Sequence, residues 1–420
     1  MNKVLIPELR FPEFEKEGEW KEKPLDDVCK LVRGPFGGSL KKEIFVKEGY
    51  AVYEQSHAIY SNFSSFRYRI DDEKYCELKR FAVKSGDLIM SCSGTMGKFA
   101  MIPKDYEQGV INQALLKLTT KKGYDNSFIK MSLETNDNQN KLLSQSAGGA
   151  IKNVVSVSQI RELELAIPSS KEQQKIANCL SSLDEVITAH SLKLDLLKDH
   201  KRGLMQNLFP QEGETAPKYR FPEFVNDDKW VEKTLDEVAT FLKGKGVSKS
   251  DIAENGSLPC IRYGELYTHY NETISVIKSY TNLSAEDLVL SKSNDVIIPA
   301  SGETQIDIAT ASCVLVDGIA LGGDLNIIRT KINGVFLSYL MNNVKKKEIA
   351  QLAQGISVVH LYSNQLKTLI INIPKPKEQQ KIASCLSTLD ELIKSQAKKI
   401  EQLKQHKKGL MQGLFPKIND

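Results

Sequence analysis

The stretch Pro168–Pro210 recurs as Pro374–Pro416, with 27 of 43 aligned positions identical and no gap. A shorter block precedes each copy. RFPEF at Arg10–Phe14, followed by Trp20, Leu25, Val28 and Gly34, returns as Arg220–Phe224, Trp230, Leu235, Val238 and Gly244. Between these blocks the sequences at 35–148 and 245–354 share little. A chain with such a repeat folds as two half-molecules of one plan, and a constant frame with two different inserts suits a device that holds two distinct readers.

Hydrophobic patterning gives each half the same order of elements. A short strand and turn follow the aromatic opening, with Asp26 or Thr234 as the expected helix N-cap. Apolar runs at Asp87–Ser91, Phe99–Pro103 and Ile111–Thr119 read as strands, as do Asp295–Ala300, Cys313–Val316 and Leu325–Thr330. A helix is expected over Asn126–Ser146 and another over Val335–Ala353, ended by Gly148-Gly149 and Gly355.

The repeated block itself is a long helix with a heptad. Ile176, Leu183, Leu197 and Leu204 fall on one seam position, and Leu180, Ile187, Leu194 and Leu208 on the other. The second copy repeats this with Ile382, Leu389, Leu403 and Leu410, and with Leu386, Ile393, Ile400 and Leu414. Each helix is about 55 Å long at 1.5 Å per residue. Such a seam needs a partner, and the expected one is the other copy, packed antiparallel. His190 and Gln396 are twins near mid-helix, where a polar layer facing itself would penalise slipped registers. The fold class is α+β: two β-rich domains, 1–167 and 211–373, separated by helices 168–210 and 374–420 in an antiparallel coiled coil with an internal pseudo-twofold.

At 420 residues there is length for two to three domains, each with its own core. A net charge of +4 neither demands nor excludes a nucleic-acid partner. MNKVLIPELRFPEF has no apolar stretch long enough for a signal peptide, and no 18-residue apolar run follows, so the reading is a cytoplasmic chain without a membrane span. Seven scattered cysteines never spaced C-x-x-C argue against a zinc site or a disulfide framework. Ser91–Lys98 resembles a phosphate loop but has Cys92 where the first glycine would stand and Phe99 after the lysine. No nucleophile elbow, dinucleotide fingerprint or H-E-x-x-H is present, so the chain is expected to bind rather than react, with neither metal nor cofactor of its own.

The inserts do carry side chains suited to DNA. Arg pairs with guanine, Asn or Gln with adenine, and Lys or backbone amides with phosphate. In the first insert the candidates are Arg67, Arg69, Ser93, Gly94, Thr95, Lys98, Gln113, Lys152 and Asn153. In the second they are Arg262, Tyr263, Ser301, Gly302, Gln305, Asn326 and His360. Ser93-Gly94 and Ser301-Gly302 follow corresponding strands, which marks their loops as corresponding places. Lys98 and Lys152 are the expected phosphate contacts. Alanine at Lys98 or at Lys152 should lower affinity, leave the preferred sequence unaltered and reduce the salt slope by about one each. A salt titration of binding checks this.

The pattern I-P-x-x-x-E-Q-Q-K-I-A-x-x-L-x-x-L-D-E at Ile167–Glu185 and Ile373–Glu391, with L-K-x-H-K-[RK]-G-L-M-Q-x-L-F-P after each, resembles the specificity subunit of type I restriction-modification enzymes. The two R-F-P-E-F openings and the strand G-D-L-I-M-S-x-S-G at Gly86–Gly94 fit as well. The resemblance implies two target recognition domains, each reading half of a bipartite site on double-stranded DNA, and helices that set their spacing. It implies assembly with methyltransferase subunits, two of them, and with restriction subunits. S-adenosylmethionine, ATP and Mg would then belong to those partners. The second half departs at Asn294-Asp295-Val296 and at Glu303. A stand-alone regulator with two readers, or a coiled-coil scaffold without DNA, are the other classes the residues leave open.

Overall fold

A computed structural model of the chain describes residues 5–144, 157–211, 213–355 and 358–417. Among them the chain forms two compact units, Met1–His190 with Lys399–Asp420, and Ser191–Lys398.

The first unit contains β1 (Lys21–Pro24), β2 (Cys29–Arg33), β3 (Tyr50–Tyr53), β4 (Arg69–Ile70), β5 (Leu88–Ser91), β6 (Phe99–Met101), β7 (Gly109–Ile111), β8 (Leu115–Thr120) and β9 (Glu164–Ile167). β1 pairs antiparallel with β9, tying the opening block to the residues just before the first long helix. Two sheets follow, in the orders β2-β8-β5-β6 and β4-β3-β7. The alternation of side chains along a strand divides the core. Leu88 and Met90 of β5 face the helix Asn126–Leu133 through Phe128 and Ile129, while Ile89 joins Tyr53 and Ile111 on the other face. All four residues of β5 are buried, as befits a strand covered on both sides.

The second unit repeats the plan with β10 (Val231–Thr234), β11 (Ala239–Lys243), β12 (Leu258–Ile261), β13 (Thr273–Ile274), β14 (Ser279–Thr281), β15 (Asp295–Pro299), β16 (Ser301–Gly302), β17 (Ser312–Val314), β18 (Ala320–Leu321), β19 (Leu325–Thr330), β20 (Val359–His360) and β21 (Ile370–Ile373). β10 pairs with β21, the large sheet runs β11-β19-β15-β17-β13, and the smaller one β14-β12-β18. An added two-stranded piece, β16 with β20, has no counterpart among the described residues of the first unit.

Four sequence expectations need correction. The run Ile111–Thr119 is two strands, because the chain leaves the small sheet after β7, turns at 112–114 and enters the large sheet as β8. The helix over Asn126–Ser146 is broken into Asn126–Leu133 and Asn136–Ser144. Thr135 Oγ1 and Asn138 Nδ2 take the Ser132 carbonyl at 2.8 and 2.7 Å, which ends the first piece. Val335–Ala353 is likewise split into Gly334–Asn342 and Lys346–Leu352. Thr234 does cap its one-turn helix, in a capping box with Glu237. Asp26 does not: Pro24 occupies the N-cap, and Asp26 lies in the first turn, paired to Arg161 at 2.9 Å.

The repeated letters now have physical work. Arg10 donates from Nε and Nη2 to the two oxygens of Glu172, both at 2.8 Å, and Arg220 does the same to Glu378 at 2.9 and 2.6 Å. Gln173 accepts from the Asp125 amide at 3.0 Å and Gln379 from the Asn333 amide at 2.9 Å. Each glutamine therefore fixes the N-cap of the helix that packs under the large sheet. Lys175 and Lys381 lie over Phe11 and Phe221, each 5.4 Å from the ring centre. The aromatic of L-F-P closes each core. Phe415 meets Trp20 edge-on at 6.1 Å, and Phe209 meets Trp230 at 6.5 Å.

Those last contacts reveal how the long helices, Ser170–Asn207 and Pro376–Leu414, run. In the first unit Ile176, Ala177 and Leu180 share a cluster with Leu414 and Phe415, and further along Asp184 meets Lys407 at 2.6 Å. Rising numbers on one segment meet falling numbers on the other, so the packing is antiparallel. The second unit repeats it, with Leu208 and Phe209 against Ile382 and Leu386, and Lys201 against Asp390 at 2.7 Å.

Seam burial follows the heptad. Leu180 is buried and Leu183, Ile187 and His190 are half-buried in the first unit, where Ile400 is buried and Leu403 half-buried. In the second unit Leu386, Leu389 and Gln396 are buried, and Leu194, Leu197 and Ile393 half-buried.

Lys201 and Lys407 occupy seam positions that hydrophobic counting passes over. Lys201 reaches both Asp390 and Glu272, and Tyr339 donates to Asp390 at 2.6 Å. Burial lowers the Lys201 ammonium, but the two carboxylates outweigh it and hold its pKa above the ordinary lysine value. A group raised on folding stabilises fully below its unfolded value near 10.5 and loses that contribution as pH rises through the raised one. The stability difference between the natural chain and Lys201→Met should therefore be constant from pH 6 to 9 and shrink only above about 10.5. Urea unfolding across that range checks this.

Candidate nucleic-acid interface

In both units the loops leaving β2, β3, β5 and β7, or their counterparts β11, β12, β15 and β18, gather at one end of the sheets. The correspondence is fixed by hydrogen bonds. Gly34 N donates to Leu115 O and Gly244 N to Leu325 O, both at 2.9 Å. Cys92 N donates to Ala114 O at 2.9 Å, and Ala300 N to Asp324 O at 2.8 Å. The residues that follow, Ser93-Gly94 and Ser301-Gly302, are thus at equivalent places. Glycine is required at the first of these loops: a Cβ on Gly34 would lie 1.8 Å from Asn112 O, and one on Gly244 2.0 Å from Gly322 O.

In the first unit a cleft of about 530 Å³ opens between Gln55, His57, Ser65, Arg67 and Asn112. Gln55 holds the neighbouring loop: its amide donates to Ser93 O, and Ser93 Oγ donates to its Oε1 at 3.0 Å. The buried Ser91 hydroxyl donates to Thr95 O at 2.6 Å and accepts from Lys98 N at 3.0 Å, so the turn Ser93–Gly97 is rigidly based. Gly94, Thr95, Lys98, Gln113 and Arg67 are exposed around it, and Ser93 is half-buried. Arg67 lies over the Tyr68 ring.

Arg33, at the end of β2, has a buried Nη1 without an acceptor among the described residues. It stands beside Cys92, whose thiol burial pushes up to about 11 against the pull of that guanidinium. A thiol so placed is protonated at neutral pH and is no nucleophile.

The second unit has a cleft of about 630 Å³ between Lys249, Arg262, Tyr263, Gly264, Gly323 and Asp324. Arg262 leans on Glu265 at 3.4 Å through one terminal nitrogen, and its buried Nε finds no acceptor among the described residues. The second cleft is thus lined by an arginine with an unmet donor. That is an arrangement suited to a guanine edge or a phosphate. Tyr263 packs edge-on to Tyr267 at 6.4 Å. Gln305 is exposed, and His360 is exposed and stacked with Tyr362.

Other candidates are occupied by the fold. Asn326 is 2% exposed; its amide donates to Leu361 O at 2.8 Å and accepts from Ser363 at 2.9 Å. It is a clamp between strand and loop, and its side chain is not presented to a ligand. Arg69 is half-buried and tied to Glu107 at 2.6 Å and to Gly49 O at 3.0 Å. Ser301 and Gly302 are buried, paired in register with His360 and Val359. Lys152 and Asn153 lie outside the described residues. Sequence reasoning missed Arg33, which reads as an ordinary strand end, and Gln55, whose clamp spans 38 residues.

No group of three or more His, Cys, Asp or Glu able to hold a metal, and no helix long and apolar enough to cross a membrane, occurs among the described residues.

Residues 17–198 and 227–405 match the family model described as the type I restriction modification DNA specificity domain. The chain is 26% identical to the type I restriction enzyme MjaVIII specificity subunit of Methanocaldococcus jannaschii, over 96% of this chain and 92% of that one. It is 23% identical to the putative MjaX specificity subunit of the same organism, over 94% and 92%. Its fold is similar to the crystal structure of the type I restriction-modification S subunit from M. genitalium. There the TM-score is 0.61 at 16% identity, covering 99% of this chain and all of the other. A chain from a structure on complex assembly and conformational transition of the type I system gives 0.55 at 14% identity, covering 94% and 97%.

Proposed function

Because the chain belongs to the type I restriction-modification DNA specificity family, we propose that it is the sequence-reading subunit of such a complex and recognises a bipartite, asymmetric site on double-stranded DNA. Each unit's loop cluster takes one half-site. The observation that carries this is the equivalence of the two clefts: the same four strand ends, set by the same backbone hydrogen bonds, present different side chains. Equal frames with unequal faces give a site whose halves differ.

Base contacts are assigned to Arg67 in the first cleft and the exposed Gln113 of the same unit, and to Arg262 and Tyr263 in the second cleft and the exposed Gln305 and His360 of its unit. Lys98 and the backbone of Gly94-Thr95 are assigned to phosphate. The repeated frame and the long helices carry two methyltransferase subunits and the restriction subunits. Methyl transfer from S-adenosylmethionine and ATP-driven, Mg-dependent cleavage reside in those partners, and this chain performs neither.

Co-expression with the methyltransferase subunit, followed by mapping of methylated bases genome-wide, tests the reading. One bipartite, non-palindromic motif is expected. A palindromic motif, or none while the two proteins co-purify, would count against it.

A further inference from the structure

Resting on that reading, we infer that Phe36 stacks on the bases of the half-site bound by the first unit and opens a base step there. Among the described residues it is the most exposed large apolar side chain, at 92%. An isolated exposed apolar residue ordinarily calls for no explanation. Here the ring is held outward by a loop pinned at both ends. Behind it Gly34 is pressed onto the Asn112 carbonyl, and ahead Leu40 is buried in a cluster with Val52, Ile70 and Val110. Ser39 N donates to Phe36 O at 2.8 Å, closing the turn. Pro35 is buried and fixes its own φ, while Gly38 has no side chain that could shield the ring.

Place and surroundings identify the occupant. The pin at Gly34 sets the loop beside Asn112 and Gln113, at the rim of the cleft. Gln113 lies against Gly34 at the base of this loop, and Lys41 and Lys42 follow within six residues of the ring, all three exposed. A protein partner would need an apolar patch continuing from the ring. A nucleobase needs only a flat face, with amides and cations around it for its edges and phosphates.

The second unit shows that the frame does not impose this feature. From Gly244, held by the same bond, the chain continues to Val247, which turns inward and is 4% exposed in a cluster with Cys260 and Ala320. The wedge belongs to one insert alone, so only one half-site should be unstacked. Insertion of an apolar side chain at a base step is a known way to kink DNA and enlarge the contact surface.

The experiment uses the full chain with its methyltransferase subunits on duplexes of the mapped site, with 2-aminopurine substituted in turn at each position of both half-sites other than the methylated bases and their neighbours, since a methyltransferase flips its own target base. Wild type should raise the fluorescence at one step of one half-site. Phe36→Ala should abolish that rise and weaken binding about ten-fold, Phe36→Trp should keep both, and the other half-site should stay unresponsive in all three.

If no step is unstacked and F36A binds as wild type while R262A is weakened, the inference fails and the reading stands. Loss of the methyltransferase subunits from F36A would assign the ring to a protein contact, and the inference would again fail. Absence of any sequence-specific binding by the wild-type complex would overturn both.

Discussion

Glu172→Ala is expected to lower the melting temperature of the first unit by roughly 10 °C, since truncating one partner of a buried pair costs about 3–5 kcal/mol and a unit near 200 residues loses about 2–4 °C per kcal/mol. Arg10 and Glu172 are 7% and 1% exposed, and the guanidinium also donates from Nη1 to the carbonyls of Glu17 and Gly18. Removing the carboxylate leaves that cation buried without a counter-charge. The pair joins the opening block to the first turn of the long helix across 162 residues, so β1 and β9 should loosen with it. Glu378→Ala is the internal control, because Arg220 and Glu378 repeat the geometry at 12% and 1% exposure. Calorimetry with hydrogen exchange should find β1 and β9 affected by the first substitution, and β10 and β21 by the second. Replacing both Arg10 and Glu172 by Met should recover most of the loss, since no unpaired charge then remains.

The largest functional effect is expected at Arg262. A guanidinium that pairs with a base edge contributes about 1–3 kcal/mol, so Arg262→Ala should weaken specific binding about five- to 150-fold and relax one position of the half-site read by the second unit. Arg262→Lys should not restore it, because an ammonium lacks the planar fork. A uniform loss across sequences with a salt slope smaller by about one would assign Arg262 to phosphate instead. Competition binding with single-base variants at several salt concentrations separates the two, and unchanged binding would remove the residue from the interface.

The frame was legible because its residues occur twice. Once two distant blocks match, the order of elements, the heptad and the correspondence of Ser93 with Ser301 follow from counting. What holds the frame together was not legible. Arg10 with Glu172, or Trp20 with Phe415, join residues that no periodicity connects. Lys201 and Lys407 escaped because a hydrophobic heptad count skips a lysine, whereas the fold supplies carboxylates at that level. The clefts were legible only in outline. Asn326 is, by residue type, as good an adenine reader as Gln113, yet its strand position turns it onto Leu361 and Ser363, and Gln113 lies on the turn between β7 and β8. That distinction depends on which sheet each segment joins, and the run Ile111–Thr119 gives no sign in its letters that it changes sheets.

The central claim is that each insert reads its own half of the site on a shared frame. Its most direct test replaces residues 35–148 with the corresponding insert of another member of the family, in the full chain co-expressed with its methyltransferase subunit, and maps the methylated motif by sequencing. One half-site should be replaced, while the other half and the number of unread bases between them stay as they were. A motif changed in both halves, or in neither while methylation persists, would contradict the account.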